Sequence, residues 1–234
     1  MLKRWTRAMG DRFKSWRGAM RTPLQRALAR VELLFMDHAV FRFVHLNLHQ
    51  VTPSLWRSAQ PSPGQLARAR RLGIRTIVNL RGVRDCASYL LEKEACARLG
   101  MTLVDFPVTS REPPSPERVR AFDAMLDAIE YPVLFHCKSG ADRAGIASAL
   151  YLLLREGRPV AEAQDQLHWR FGHFRHARTG VLDYMLERFA AEGGRDGAAF
   201  RDWAARGYDP LAMRRDFQAG RWSVLLVDRL LRRE

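Results

Sequence analysis

Apolar residues along this chain repeat with two different periods. Short runs at 74–80 (IRTIVNL) and 132–136 (PVLFH) are rich in β-branched and aromatic side chains and are bounded by Gly73 or Pro132, as buried strands are. Residues 101–108 read as another strand, and 54–58 as an extended segment. Helical spacing fills the intervals. Ser62 followed by Pro63 supplies an N-cap and a first-turn proline for a helix running to about Leu72, where Gly73 stops it. Residues 85–99 form a second predicted helix, ended by Gly100, and Ser115-Pro116-Glu117 opens a third that runs to about Glu130. A further helix is predicted over 144–155, and others fill the remainder to Leu231. Strands alternating with helices imply an α/β fold, a mostly parallel central sheet flanked by helices. The Gly-rich stretch 192–197 divides a core domain, 51–190, from a helical C-terminal tail, 191–234, and residues 1–50 stand apart as an N-terminal extension.

That extension has its own pattern. Leu2, Trp5, Met9, Phe13, Trp16 and Met20 recur at intervals of three and four and draw one apolar stripe along a helix. Lys3, Arg4, Arg7, Arg12, Lys14, Arg17 and Arg21 occupy most of its remaining circumference. Across the 234 residues, 39 Lys+Arg oppose 25 Asp+Glu, a net charge of +14; the first 30 residues hold nine basic side chains and one acidic one. A basic amphipathic helix with two tryptophans suits an anionic membrane surface, and it equally suits packing on the protein's own core. No apolar run approaches the roughly 18–20 residues of a membrane span. Three cysteines, an odd number, make no disulfide framework and point to a reducing compartment. With no secretory signal pattern at the start, the expectation is a cytoplasmic protein, peripheral on the inner face of a membrane if residues 1–30 bind lipid. No finger, zipper or RNA-binding motif accompanies the charge, so no nucleic-acid partner is expected.

The chemistry is concentrated in His136-Cys137-Lys138-Ser139-Gly140-Ala141-Asp142-Arg143. A cysteine closes an apolar strand, and five residues later an arginine stands at the start of a helix. The loop's amides can converge on a small anion, the helix N-terminus adds its positive dipole end, and Gly140 allows the tight turn this needs. Arg143 offers a planar fork matched to two phosphate oxygens. The same field stabilises a thiolate on Cys137, so one segment supplies both nucleophile and phosphate cradle.

This C-x5-R segment, with its preceding strand, internal glycine and following helix, resembles the signature of the protein tyrosine phosphatase superfamily, in particular its compact dual-specificity-like members. The likeness covers about 51–190 and includes 56–63 (WRSAQPSP) and 76–82 (TIVNLRG), which look like features of bacterial members. It implies that Cys137 attacks phosphorus and forms a phosphocysteine, that Arg143 and the amides of Lys138, Ser139, Gly140 and Ala141 hold the phosphoryl oxygens, and that no metal or organic cofactor is needed. His136 would orient the thiolate. The general acid departs from the usual pattern. The loop after Asp105 carries Ser110 where tensin-type lipid phosphatases have their aspartate. Asp142 gives a C-x4-D-R arrangement similar to myotubularin and Sac-type phosphoinositide phosphatases, whose loop aspartate is a proposed acid. Asp142 is the first choice for the acid, Asp105 the second, and Glu112 or no protein acid the remainder. Ala144 replaces the Ser or Thr that often follows the arginine.

Arg81, at the C-terminal end of a strand, is a candidate substrate contact, as is Lys138. The run 168–178 (HWRFGHFRHAR) is rich in histidine, arginine and aromatics; it either flanks an acidic substrate or forms a helix connection with exposed bases, and it shows no metal-ligand spacing. Cys86 and Cys96 fall in a predicted helix as small core residues. The expected function is phosphate monoester hydrolysis on a phosphorylated protein. The alternatives are an anionic phospholipid substrate at a membrane and, in another class, a pseudophosphatase that binds phospho-ligands without turnover. A rhodanese-type sulfurtransferase is a distant third.

Overall fold

The structure is a computed structural model and describes residues 46–218. The basic helix expected over residues 1–30 lies outside the described residues. By internal contacts the chain forms two compact units, one running to Pro107 and completed by Glu130–Ser139, the other made of Val108–Ile129 and the chain from Gly140 onward.

The first unit holds the sheet. Strands β1 (His49–Gln50), β2 (Leu55–Ala59), β3 (Thr76–Asn79), β4 (Thr102–Asp105) and β5 (Val133–Cys137) lie in the order β1-β2-β5-β3-β4. β1 runs antiparallel to β2, and every other pairing is parallel. The α/β class read from the alternating pattern is therefore the class observed. Helix α1 (Pro63–Arg71) begins at a capping box, with Ser62 accepting from the Gln65 amide and the Gln65 side chain accepting from the Ser62 amide. Helix α2 (Ala87–Leu99) ends at Gly100 in the left-handed region. Leu66 and Ala69 of α1 and Ala95 and Cys96 of α2 close over Ile77 and Leu134 of the sheet. The observed strands are shorter than the apolar runs: Ile74 and Leu80 are fully buried but lie just outside the ladder. Burial extends beyond pairing, and apolar pattern reports burial.

The second unit is helical. Helix α3 (Pro116–Ala128), capped by Ser115, buries Val119, Phe122 and Leu126 at helical spacing. Helix α4 (Asp142–Leu154) is buried at every position from Ala144 to Leu154, as an apolar-all-round sequence requires. It begins at Asp142, two residues before the predicted start. A short α5 (Val160–Gln164) leads through two single 3-10 turns to α6 (Val181–Ala191) and then α7 (Gly197–Arg206). The chain turns at 192–197, and α7 packs against α4 and α3, with Arg201 bonding both oxygens of Asp123 at 2.7 and 3.0 Å. Among the described residues no helix is long and apolar enough to cross a membrane.

Candidate active site

β5 is the middle strand, and all five of its residues are buried. Alternation puts His136 on the face of Leu134, under α1 and α2, and Cys137 on the opposite face with Val133 and Phe135. The sheet thus delivers the cysteine at its C-terminal edge, 2% exposed. His136 is held from its own side of the sheet. Its Nε2 lies 2.6 Å from Oε1 of Glu92 on α2, and both side chains are fully buried. Oε2 of Glu92 accepts from Nε2 of Gln60 at 2.7 Å, and the Gln60 carbonyl accepts from the Arg81 guanidinium. Arg81 also donates its backbone N–H to Oδ1 of Asn79 at 3.0 Å. A polar chain therefore runs from Arg81 through Gln60 to Glu92, whose other oxygen faces the histidine that precedes Cys137. Ser139, in the signature loop, has its carbonyl engaged by Nδ2 of Asn47 at 2.9 Å.

Asp105 lies at the end of β4, opposite Asn79 of β3. Its Oδ1 accepts from Nδ2 of Asn79 at 2.7 Å and its Oδ2 from the Tyr89 hydroxyl at 2.6 Å. Burial, and then the bond to Asp105, pushes the Tyr89 phenol up to about 12. Both oxygens of Asp105 thus have fixed donors within the sheet's own unit.

The loop continues into the second unit. Lys138 and Ser139 are exposed, whereas Gly140 is buried at φ +75°, in the region where a side chain would be strained. Ala141 is the N-cap of α4, and no side chain caps the helix, in contrast to the serines that cap α1 and α3. The first-turn amides of α4 are therefore left without the side-chain acceptor those helices have, which suits an anion. Asp142 and Arg143 open the helix, both partly exposed. Oδ1 of Asp142 lies 2.8 Å from Nδ1 of His173, whose Nε2 lies 2.6 Å from Oδ2 of Asp183 on α6. Ala144 is fully buried, so the position of the family's hydroxyl is filled by a core methyl.

Glu92, Gln60, Asn47, His173 and Asp183 were not singled out from sequence. Glu92 carries a legible signal, since it falls on the buried stripe of α2 with Ser88, Leu91, Ala95 and Cys96, where a lone carboxylate needs a partner. His173 lies in the histidine-rich run expected either to flank an acidic substrate or to connect helices with exposed bases, and it is buried rather than exposed. Cys96 is a core residue as expected, but Cys86 is half-exposed at the N-cap of α2, with Sγ 3.3 Å from the Ser88 hydroxyl.

A buried cysteine at the end of a central parallel strand, a left-handed glycine and an arginine in the first turn of a buried helix stand in the C-x5-R order of a cysteine-phosphatase loop. Comparison with known proteins reaches the same class. The family described as DSP-PTPase phosphatase fused to NAD+ kinase matches residues 41–179, more than half of the chain, and the chain belongs to that family. The dual specificity protein phosphatase TpbA of Pseudomonas aeruginosa PAO1 is 29% identical over 130 residues, which cover 54% of this chain and 56% of the relative. Its counterpart in strain UCBPP-PA14 is 29% identical over 114 residues, covering 48% of this chain and 49% of the relative. The chain thus spans about half the length of these two relatives. The crystal structure of P. aeruginosa TpbA superimposes with a TM-score of 0.53 at 24% identity, covering 68% of this chain and 91% of that one, a likeness of fold.

Proposed function

We propose that this chain is a phosphate monoester hydrolase of the tyrosine and dual-specificity type, acting on phosphorylated protein side chains through a phosphocysteine on Cys137. The observation that carries the reading is the segment from His136 to Arg143, in which a buried strand-end cysteine is followed by a left-handed glycine and a helix whose first turn no side chain caps. Similarity to dual specificity protein phosphatases supports the substrate class.

In the first step the Cys137 sulfur attacks phosphorus in line; the S–P bond forms as the P–O bond to the leaving group breaks. Arg143 and the loop amides take the charge on the three remaining oxygens. Asp142 is the proposed acid. Asp105 has a donor on each oxygen, whereas Asp142 has His173 on Oδ1 and keeps its side chain 26% exposed. The Asp142 carboxyl gives its proton to the leaving oxygen, and in the second step its carboxylate takes a proton from the water that hydrolyses the phosphocysteine.

Phosphate release from an aryl phosphate by wild type and Cys137→Ser tests this. The expected result is turnover by wild type and none by Cys137→Ser. Equal rates in the two proteins would leave the chain as a phospho-ligand binder without turnover.

A further inference from the structure

The His173 side chain is fully buried, and both of its ring nitrogens face carboxylates, Asp142 at 2.8 Å and Asp183 at 2.6 Å. An imidazole with one proton can donate to only one of two such acceptors; the imidazolium donates to both. Burial opposes that charge, but the hydrogen bonds and charges of Asp142 and Asp183 outweigh it and push His173 up to about 9. The surroundings keep the ring in place. His173 follows Gly172, which ends the 3-10 turn Trp169–Phe171 and lies against Ala141, where an added Cβ would come 3.8 Å from the alanine methyl. On the other side the chain closes onto Gly180, where an added Cβ would fall 1.7 Å from the Arg175 carbonyl oxygen. Asp183 lies in the first turn of α6, so the histidine is gripped between the starts of two helices.

His173 and Asp183 line a cavity of about 600 Å³ together with other titratable groups: Asp165, His168 and His176, and the ion pair of Arg175 and Glu187 at 2.6 Å. Among the described residues, only Asp142 and Asp183 are recorded in hydrogen bonds to the His173 ring.

We propose that His173, seated on Asp183, is the positioning residue for Asp142: its Nδ1–H occupies Oδ1 and leaves Oδ2 as the atom that carries the catalytic proton. This rests on the reading of Asp142 as the acid. A proton on Oδ1 would meet the ring N–H head-on, so the proton that Asp142 passes to the leaving group is the one carried on Oδ2. As the P–O bond breaks, that proton passes to the leaving oxygen, and the carboxylate so formed is already bonded by a cationic N–H. In the second step, water returns a proton to Oδ2. When the ring loses its Nδ1 proton, with Nε2–H still serving Asp183, a lone pair faces Oδ1 and the hold on Asp142 is lost.

The test uses the full chain as wild type, Asp142→Asn, His173→Gln and Asp183→Asn, with two aryl phosphates, one of a good and one of a poor leaving phenol, from pH 6 to 10. For His173→Gln the expected kcat for the poor leaving group falls about 100-fold, the scale of general acid catalysis. For the good leaving group the loss is under about 3-fold, because that step needs little proton transfer. Wild type loses rate on the poor leaving group as rising pH takes the acid proton from the coupled Asp142–His173–Asp183 network, and that limb moves in His173→Gln. If His173→Gln slows both substrates equally and keeps the wild-type pH profile, His173 is structural only and the inference is overturned. Should that variant not fold, Asp183→Asn, which keeps an acceptor oxygen at the same place, is read by the same two criteria. The underlying readings fail separately: turnover by Cys137→Ser removes the phosphatase, and equal slowing of both substrates by Asp142→Asn removes the acid.

Discussion

Truncating Glu92 to alanine is the sharpest probe of how the nucleophile's strand is supported. The carboxylate and the His136 ring are both fully buried, 2.6 Å apart, and the second carboxylate oxygen accepts from Gln60 at 2.7 Å. Removing it strands the imidazole, and strands the Gln60 amide in the same stroke. Leaving the buried imidazole without its polar neighbour costs about 1–3 kcal/mol. The Gln60 amide, left without its acceptor, adds about 1–3 kcal/mol unless water reaches it. The expected loss is therefore about 2 kcal/mol or more, which for a chain of this size lowers Tm by roughly 4–8 °C or more. Glu92→Gln keeps the shape and one acceptor and should lose about half as much. Urea unfolding read by tryptophan fluorescence gives the stability, and phosphate release gives the activity of the surviving folded fraction. A Glu92→Ala midpoint within about 0.5 kcal/mol of wild type would refute the account, because surface substitutions lie in that range.

Two further outcomes follow from shifted groups. His173 is raised from 6.5 to about 9, so its contribution is complete below pH 6.5 and is lost as pH climbs through 9; wild type should lose about 3 kcal/mol of unfolding free energy over that window, and His173→Gln should show no such slope. The Cys96 thiol, pushed up to about 12 by burial and then by the Glu92 charge, should escape iodoacetamide at pH 8 in the folded protein and react after unfolding, as mass spectrometry of the peptides would show.

Much of the architecture was legible because burial and periodicity write directly into sequence. The caps Ser62 and Ser115, the stop at Gly100 and the strand read at 132–136 all follow from local rules, and the elements lie where those rules put them, the strand one residue further on at Val133–Cys137. The signature loop was legible for the same reason, being contiguous. What sequence could not supply were pairings across long separations. Glu92 and His136 are 44 positions apart, and Asp142 and His173 are 31 apart; only the fold brings such residues together. Arg81 is a case of the same kind: its place at a strand end was legible, but the bond from its guanidinium to Gln60, 21 positions away, was not. The start of α4 was placed two residues late because Asp142 looked like part of a loop, although an acidic residue in a first turn is favoured by the helix dipole.

The strand order carries a consequence for how the chain acquires its shape. β5 is the last strand in sequence and the middle one in space, pairing with β2 on one side and β3 on the other. As the chain leaves the ribosome, β2 and β3 emerge first and hold open edges facing a gap that only residues 133–137 can fill. No nascent chain shorter than that has a continuous sheet, and its two exposed edges are surfaces on which other chains could pair. Sheet closure and delivery of Cys137 are then one event, so the protein has no stage at which its sheet is complete and Cys137 is still to arrive.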